Sequence, residues 1–336
     1  MEHSIAHLSR VKPSSGRYLD PDQYSFTPGG ETIDRQLSGI KAHPLCTSKM
    51  LPKKEAKMLK NVKNILVGTT AEALEHETSS ALSFAVTLAQ EAEARLTVQA
   101  ASVKLVFSHA MLGGFAARLV ATENARLRSE ATKAAENTQR LANLSGISCT
   151  TENLDLPYNE LVPAFIAQTR AHDLTILDAE PETFSLDRGL INAALFRSGR
   201  PLIIVPAGCE FRGNRIMVAW DGGAEATRAV NDALPFLRAA HYVEIVSVVG
   251  EKDLTHSDPG AELAPHLAAH GVEVTVVDLV MSPDGVGDTL RQRAASAHID
   301  MVVMGAFAHS WIQRIVFGGA TQSLLQASPV PLFLSR

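Results

Sequence analysis

From Lys63 onward, short apolar runs alternate with longer amphipathic stretches. That is the pattern of βα units, whose parallel strands are buried on both faces and read as near-continuous hydrophobic segments. NILVG (64–68), LTVQAAS (96–102), ISCTTE (147–152), DLTILD (173–178) and PLIIVP (201–206) predict five strands. Helical spacing predicts helices near 75–93, 114–143, 158–171 and 187–198 between them. The same order then restarts with RIMVAW (215–220), VEIVSVV (243–249), VEVTVVDL (272–279), DMVVMG (300–305) and VPLFLS (330–335). Helices are predicted at 224–239, 261–270, 284–297 and near 314–327. A repeated order of this kind means two copies of one unit. The expected fold is α/β: two tandem open, mostly parallel five-stranded sheets with helices on both faces, Rossmann-like, over residues 62–208 and 213–336.

The copies differ in length where a ligand would sit. Ile65 aligns with Ile216 at an offset of 151, and Pro201 with Pro331 at 130, so the second copy is 21 residues shorter. Asp173 aligns with Asp300 at an offset of 127, which leaves the second copy three residues longer between its fourth and fifth strands. Open α/β sheets bind ligands at the carboxyl ends of strands, and anions favour helix N-termini, so a phosphate is expected in that loop.

Composition narrows the class. With 336 residues, 46% hydrophobic and 20% charged, the chain reads as a globular protein of about two domains. No run reaches the ~18 apolar residues of a membrane helix and no signal pattern opens the chain, so a cytoplasmic protein without a membrane partner is expected. Residues 1–63 carry 11 Lys+Arg against 6 Asp+Glu, and the remainder 20 against 30. A body of net charge −10 disfavours nucleic acid, and the loosely clustered Lys53, Lys54, Lys57 and Lys60 read as solvated charges rather than a polyanion site. The segment 1–60, with Pro13, Pro21, Pro28, Gly29 and Gly30 and no regular period, is expected to be a disordered tail. Met50 and Met58 just before the first strand raise the expectation of an internal translation start. Cys46, Cys149 and Cys209, an odd set at unrelated spacings, are expected to be free thiols.

VAWDGGAEATRAV after the first strand of the second copy, and MGAFAHSWIQRIVFGGATQSLLQASPVPLFLS at its end, resemble the universal stress protein domain. The resemblance covers 213–336 and, more weakly, 62–208. It implies a tandem universal stress protein of adenine nucleotide alpha-hydrolase-like fold. It further implies an ATP-binding sensor or regulatory module of the stress response, with Mg2+ accompanying ATP and an unidentified protein as regulated partner. Nucleotide-binding members carry an Asp after the first strand and a Gly-x2-Gly-x9-Gly-Ser/Thr pattern. Here those positions are Asp221, Gly305, Ala308, Gly318 and Gly319, so the second glycine and the hydroxyl are replaced. Thr321 can supply a hydroxyl instead, and His309 and Arg314 positive charge. Chemically, Asp221 can accept hydrogen bonds from ribose hydroxyls or an adenine amine, while Gly305, Gly318 and Gly319 leave backbone amides open to phosphate. In the first copy Thr70 stands at the position of Asp221 and Asp178 at that of Gly305. A carboxylate where phosphate would lie disfavours ATP, so this copy is expected to be a structural partner. Family members dimerise through the last strand; a tandem chain can make that contact internally, pairing 202–205 with 331–334 as a pseudo-dimer, and such a chain is expected to be monomeric or only weakly self-associating.

Other chemistries find less support. His266 and His270 share a helix face with Glu262, and Asp258 lies upstream; the set can be read as metal ligands or, with no cysteine joining them, as a solvated face. Trp311 and Phe317 flank the loop and can be read as a hydrophobic lid or, better, as packing the following helix onto the sheet. There is no GxSxG elbow around Ser198 or Ser310, no GxxxxGK[ST] loop and no GxGxxG after a strand. A nucleotide-free tandem scaffold, supported by Ala308 and Gly319, and a slow ATP hydrolase, for which no base is evident, remain open beside the sensor.

Overall fold

Asp173 and Asp300, the residues that align the two copies, do the same thing in both. In the computed structural model, Asp173 Oδ2 accepts the amides of Lys63 and Asn64 at 2.9 and 3.0 Å. Asp300 Oδ2 accepts those of Asn214 and Arg215 at 3.0 and 2.9 Å. In each copy, one carboxylate ahead of the fourth strand fixes the entrance of the first strand beside it. The structure describes residues 59, 61–71, 79–106, 114–180, 185–250, 259–306 and 319–336, all within the unit Lys54–Arg336.

The N-terminal half runs β1 (Asn64–Thr70), α1 (Ser80–Ala92), β2 (Arg95–Val103), α2 (Gly114–Leu144), β3 (Cys149–Leu156), α3 (Tyr158–Arg170), β4 (Leu174–Asp178), α4 (Leu186–Arg197) and β5 (Leu202–Val205). The C-terminal half runs β6 (Arg215–Ala219), α5 (Ala224–Ala239), β7 (Tyr242–Val249), α6 (Pro259–Ala269), β8 (Val274–Val280), α7 (Val286–Ser296), β9 (Met301–Gly305), α8 (Ala320–Ala327) and β10 (Leu332–Ser335). Strand order is β3-β2-β1-β4-β5-β10-β9-β6-β7-β8, an open sheet of 10 strands. Within each half all pairs are parallel. At the centre β5 and β10 pair antiparallel, with Leu332 opposite Ile204, Phe333 opposite Ile203 and Leu334 opposite Leu202. The seam gives each half a covered edge, which removes two exposed rows of backbone donors and acceptors.

Alternation along the strands divides the core into two layers. Ile65, Val67, Ile203 and Phe333 face α1, α2, α5 and α6, whereas Leu66, Ile204, Met217 and Leu334 face α3, α4, α7 and α8. On the first face, edge-to-face ring pairs run from Phe84 to Phe211, Phe236 and Phe333 at centroid distances of 5.3, 6.4 and 5.5 Å, crossing the seam. On the second face Arg188 of α4, only 1% exposed, donates to the carbonyl of Glu180 at 3.0 Å and to Gln322 Oε1 on α8 at 2.7 Å. Burial of that guanidinium is tolerated because oxygen acceptors from both halves surround it. In the C-terminal half Glu244, fully buried in β7, accepts Arg293 Nε and Nη2 at 3.0 and 2.7 Å and the Tyr242 hydroxyl at 2.9 Å. This bidentate pair fastens α7 to the sheet.

α2 spans 31 residues but is polar on most of its surface, and among the described residues no helix is long and apolar enough to cross a membrane. β3 continues to Leu156, past the end expected at 152, because its NLDL segment keeps pairing with β2 as far as Val103. Cys149 and Cys209 are free cysteines, and burial pushes both thiols up. Cys46 and the segment 1–58 lie outside the described residues.

Candidate functional site

In the C-terminal half, β6 and β9 lie side by side, with Ala219 opposite Met304. The connection from β6 leads outward to β7, while that from β9 leads to β10 on the other side. This reversal opens a crevice at the carboxyl ends of the two strands, the place where doubly wound sheets take ligands. Asp221 lies two residues beyond the end of β6 and Gly305 ends β9, so the fold brings these two expected residues to neighbouring strand ends.

The turn Asp221-Gly222-Gly223 leads into α5. Gly222 holds a φ of +72°, which its lack of a side chain permits, and Gly223 donates its amide to Asp221 Oδ1 at 2.7 Å. Gly305 has a steric reason as well. A Cβ there would stand 2.4 Å from the Ala226 amide nitrogen and 2.6 Å from the Glu225 carbonyl carbon, so β9 abuts the first turn of α5 backbone to backbone. Gly319 is the N-cap of α8 and Thr321, buried, lies in its first turn. Neither α5 nor α8 receives a side-chain cap from its N-cap glycine, and the Cβ position of Gly319 faces open space. Ala308, His309, Gly318, Arg314, Trp311 and Phe317 lie outside the described residues.

The N-terminal half treats the equivalent helix start differently. Asp178, the counterpart of Gly305, accepts the Ser79 hydroxyl at 2.5 Å and the Ala81 amide at 2.8 Å. Its carboxylate thus sits at the N-terminus of α1, where the helix dipole favours an anion. Thr70, the counterpart of Asp221, donates its hydroxyl to Asp187 Oδ1 at 2.8 Å. Burial pushes the Asp187 carboxyl up to about 6; the charges of Glu180 and Asp178 add to this, and the Thr70 hydrogen bond works against it.

These groups line a cavity at the carboxyl ends of β1, β2 and β4, with about 520 Å3 of empty space including its open mouth. Its walls are Leu161, Phe165, Leu177 and Ile191, and Gln99 of β2 lies among them. Gln99 is 2% exposed, and neither its Oε1 nor its Nε2 has a hydrogen-bond partner. Sequence reasoning passed over Gln99 and Asp187. The available signal was a lone amide within LTVQAAS, an apolar strand in which a buried polar residue calls for an explanation.

His266 and His270 pack edge to face at 4.7 Å, and His270 Nδ1 lies 2.8 Å from Arg238 Nη2. Among the described residues no group of three His, Cys, Asp or Glu side chains is placed to hold a metal ion.

Known structures share the architecture. A universal stress protein from Archaeoglobus fulgidus DSM 4304 superimposes with a TM-score of 0.58 at 15% identity, covering 83% of this chain and 98% of that one. Such coverage takes in both halves of the sheet. Two further structures cover a smaller share of the chain: a universal stress protein in complex with cAMP (TM-score 0.31, 19% identity, 37% of this chain, 96% of that one) and a protein from the universal stress protein family from Burkholderia pseudomallei (0.27, 24%, 36% and 94%). No curated relative matches the chain in sequence. Residues 213–336, the whole of the C-terminal half from the approach to β6 through β10, match the model of the universal stress protein family.

Proposed function

We propose that the chain is a tandem universal stress protein acting as an adenine-nucleotide sensor or regulatory module, with its nucleotide site in the C-terminal half. The observation that carries this reading is the placement of Asp221 and Gly305 on either side of the crevice between β6 and β9. Asp221 would accept hydrogen bonds from ribose hydroxyls. The α8 N-terminus, whose N-cap Gly319 has no side chain to cap it and whose Cβ position is open, fits a phosphate group, because first-turn amides at a helix N-terminus are anion donors. Thr321 and the loop residues Ala308, His309 and Gly318 complete the set. Mg2+ would accompany ATP. The N-terminal half, whose Asp178 already occupies the anion position at α1, serves as the structural partner across the β5–β10 seam.

A second reading, a nucleotide-free tandem scaffold, is favoured by the Asp221–Gly223 hydrogen bond. That turn accounts for the aspartate without a ligand. Calorimetric titration of ATP with Mg2+ into the nucleotide-stripped full chain separates the two. The sensor reading expects one site per chain, weakened about 10- to 100-fold by Asp221→Ala, as loss of a hydrogen bond to a charged group implies, and untouched by Thr70→Ala. Absence of heat leaves the scaffold.

A further inference from the structure

We infer that the cavity of the N-terminal half is a second ligand site, for a small amphiphilic amine that has an apolar body, an ammonium group and a hydroxyl or carbonyl, and no phosphate. The inference goes beyond the nucleotide reading and does not depend on it.

The floor of the cavity points to a ligand. Gln99 lies opposite Gly68 in the register of β1 and β2, and both atoms of its amide are buried there without partners. Buried amides are almost always satisfied, and an exception calls for an unseen partner. A donor and an acceptor side by side require a ligand group that offers both, such as a hydroxyl. Gly68 keeps the floor open: a Cβ there would stand 2.8 Å from Leu177 Cδ2 and 3.0 Å from Phe165 Cε2.

The charge of the lining selects the other end of the ligand. Asp187, held by Thr70, shares the lining with Asp178 and Glu180, and the described lining residues include no Lys, Arg or His. A carboxylate or phosphate ligand would be repelled there, whereas an ammonium group would stabilise the Asp187 anion that burial disfavours. The aliphatic and aromatic walls then take an apolar body.

The test uses the full chain and the probe 2-amino-1-phenylethanol, with mandelate as the anionic counterpart. Calorimetry is expected to give one saturable site with Kd of about 0.1–1 mM, in the range for a ligand of this size. Gln99→Leu and Asp187→Asn should each weaken it at least about tenfold, mandelate should not bind, and excess ATP with Mg2+ should leave the affinity unchanged. In the unsubstituted chain, the side-chain amide resonances of Gln99 should shift during the titration, a readout that survives any misfolding of the variants. Absence of saturable binding, equal binding of mandelate, competition by ATP, or binding with Gln99 unshifted would each overturn the assignment.

Discussion

Asp187→Asn should stabilise the protein at neutral pH, and the gain should fade in acid. Asp187 opens the first turn of α4 and faces Thr70 of β1, Tyr158 of α3, and Asp178 and Glu180 at and beyond the end of β4. Burial is the largest influence on its carboxyl, raising it from 3.8 to about 6. The folded chain therefore holds this proton more tightly than the unfolded chain. Between about pH 4 and pH 6 the native state binds more protons, so unfolding free energy falls as pH rises through that window and stays lowered above it. The raised value corresponds to about 3 kcal/mol at neutral pH. Asparagine keeps the shape and an oxygen to accept the Thr70 hydroxyl but carries no charge. Urea unfolding of both chains, followed by circular dichroism, should show the variant about 2–3 kcal/mol more stable at about pH 7.5 and nearly equal at about pH 4. Taking the difference between the chains removes the titration of other carboxylates. A difference independent of pH, or one that favours the aspartate as pH rises, would refute the reasoning.

Three further expectations concern the C-terminal half. Gly305→Ala should cost about 1–3 kcal/mol in urea unfolding, because its methyl group meets the α5 backbone rather than a yielding side chain; Gly319→Ser, whose Cβ enters open space at an extended N-cap, should instead gain about 0.3 kcal/mol. Arg293→Met should cost about 3–5 kcal/mol by the same assay, since it strands the fully buried carboxylate of Glu244.

The strands were legible because burial on both faces leaves a continuous apolar signature, and the recurring order of strands and helices was legible because Asp173 and Asp300 precede their strands in the same way. The placement of Asp221 and Gly305 at neighbouring strand ends was legible too, but not the whole reason for the glycine. An open amide was expected at Gly305, whereas contact with Ala226 and Glu225, 79 and 80 residues earlier, also demands glycine. Partners so far apart leave no periodic trace. The same holds for Asp178, whose carboxylate reaches Ser79 and Ala81 across 99 and 97 residues, and for Asp187, which meets Thr70 across 117. The sign of the charge at Asp178 could be read in sequence; its role as a helix cap could not.

On the proposed reading, that role is what separates two units of one topology. At the start of α1 the helix dipole and the Ala81 amide are already matched by a carboxylate belonging to the chain, so a phosphate would displace a bond already made and meet a like charge, worth ~1 kcal/mol at 4 Å even in water. At the equivalent place in the C-terminal half a glycine carries no charge and brings strand and helix backbones together. The exchange of Asp178 against Gly305 thus disfavours an anion at the start of α1. What remains in the first unit is an apolar recess with an acid and an unpaired amide, whose charge and hydrogen-bonding needs are the reverse of those proposed for the crevice between β6 and β9.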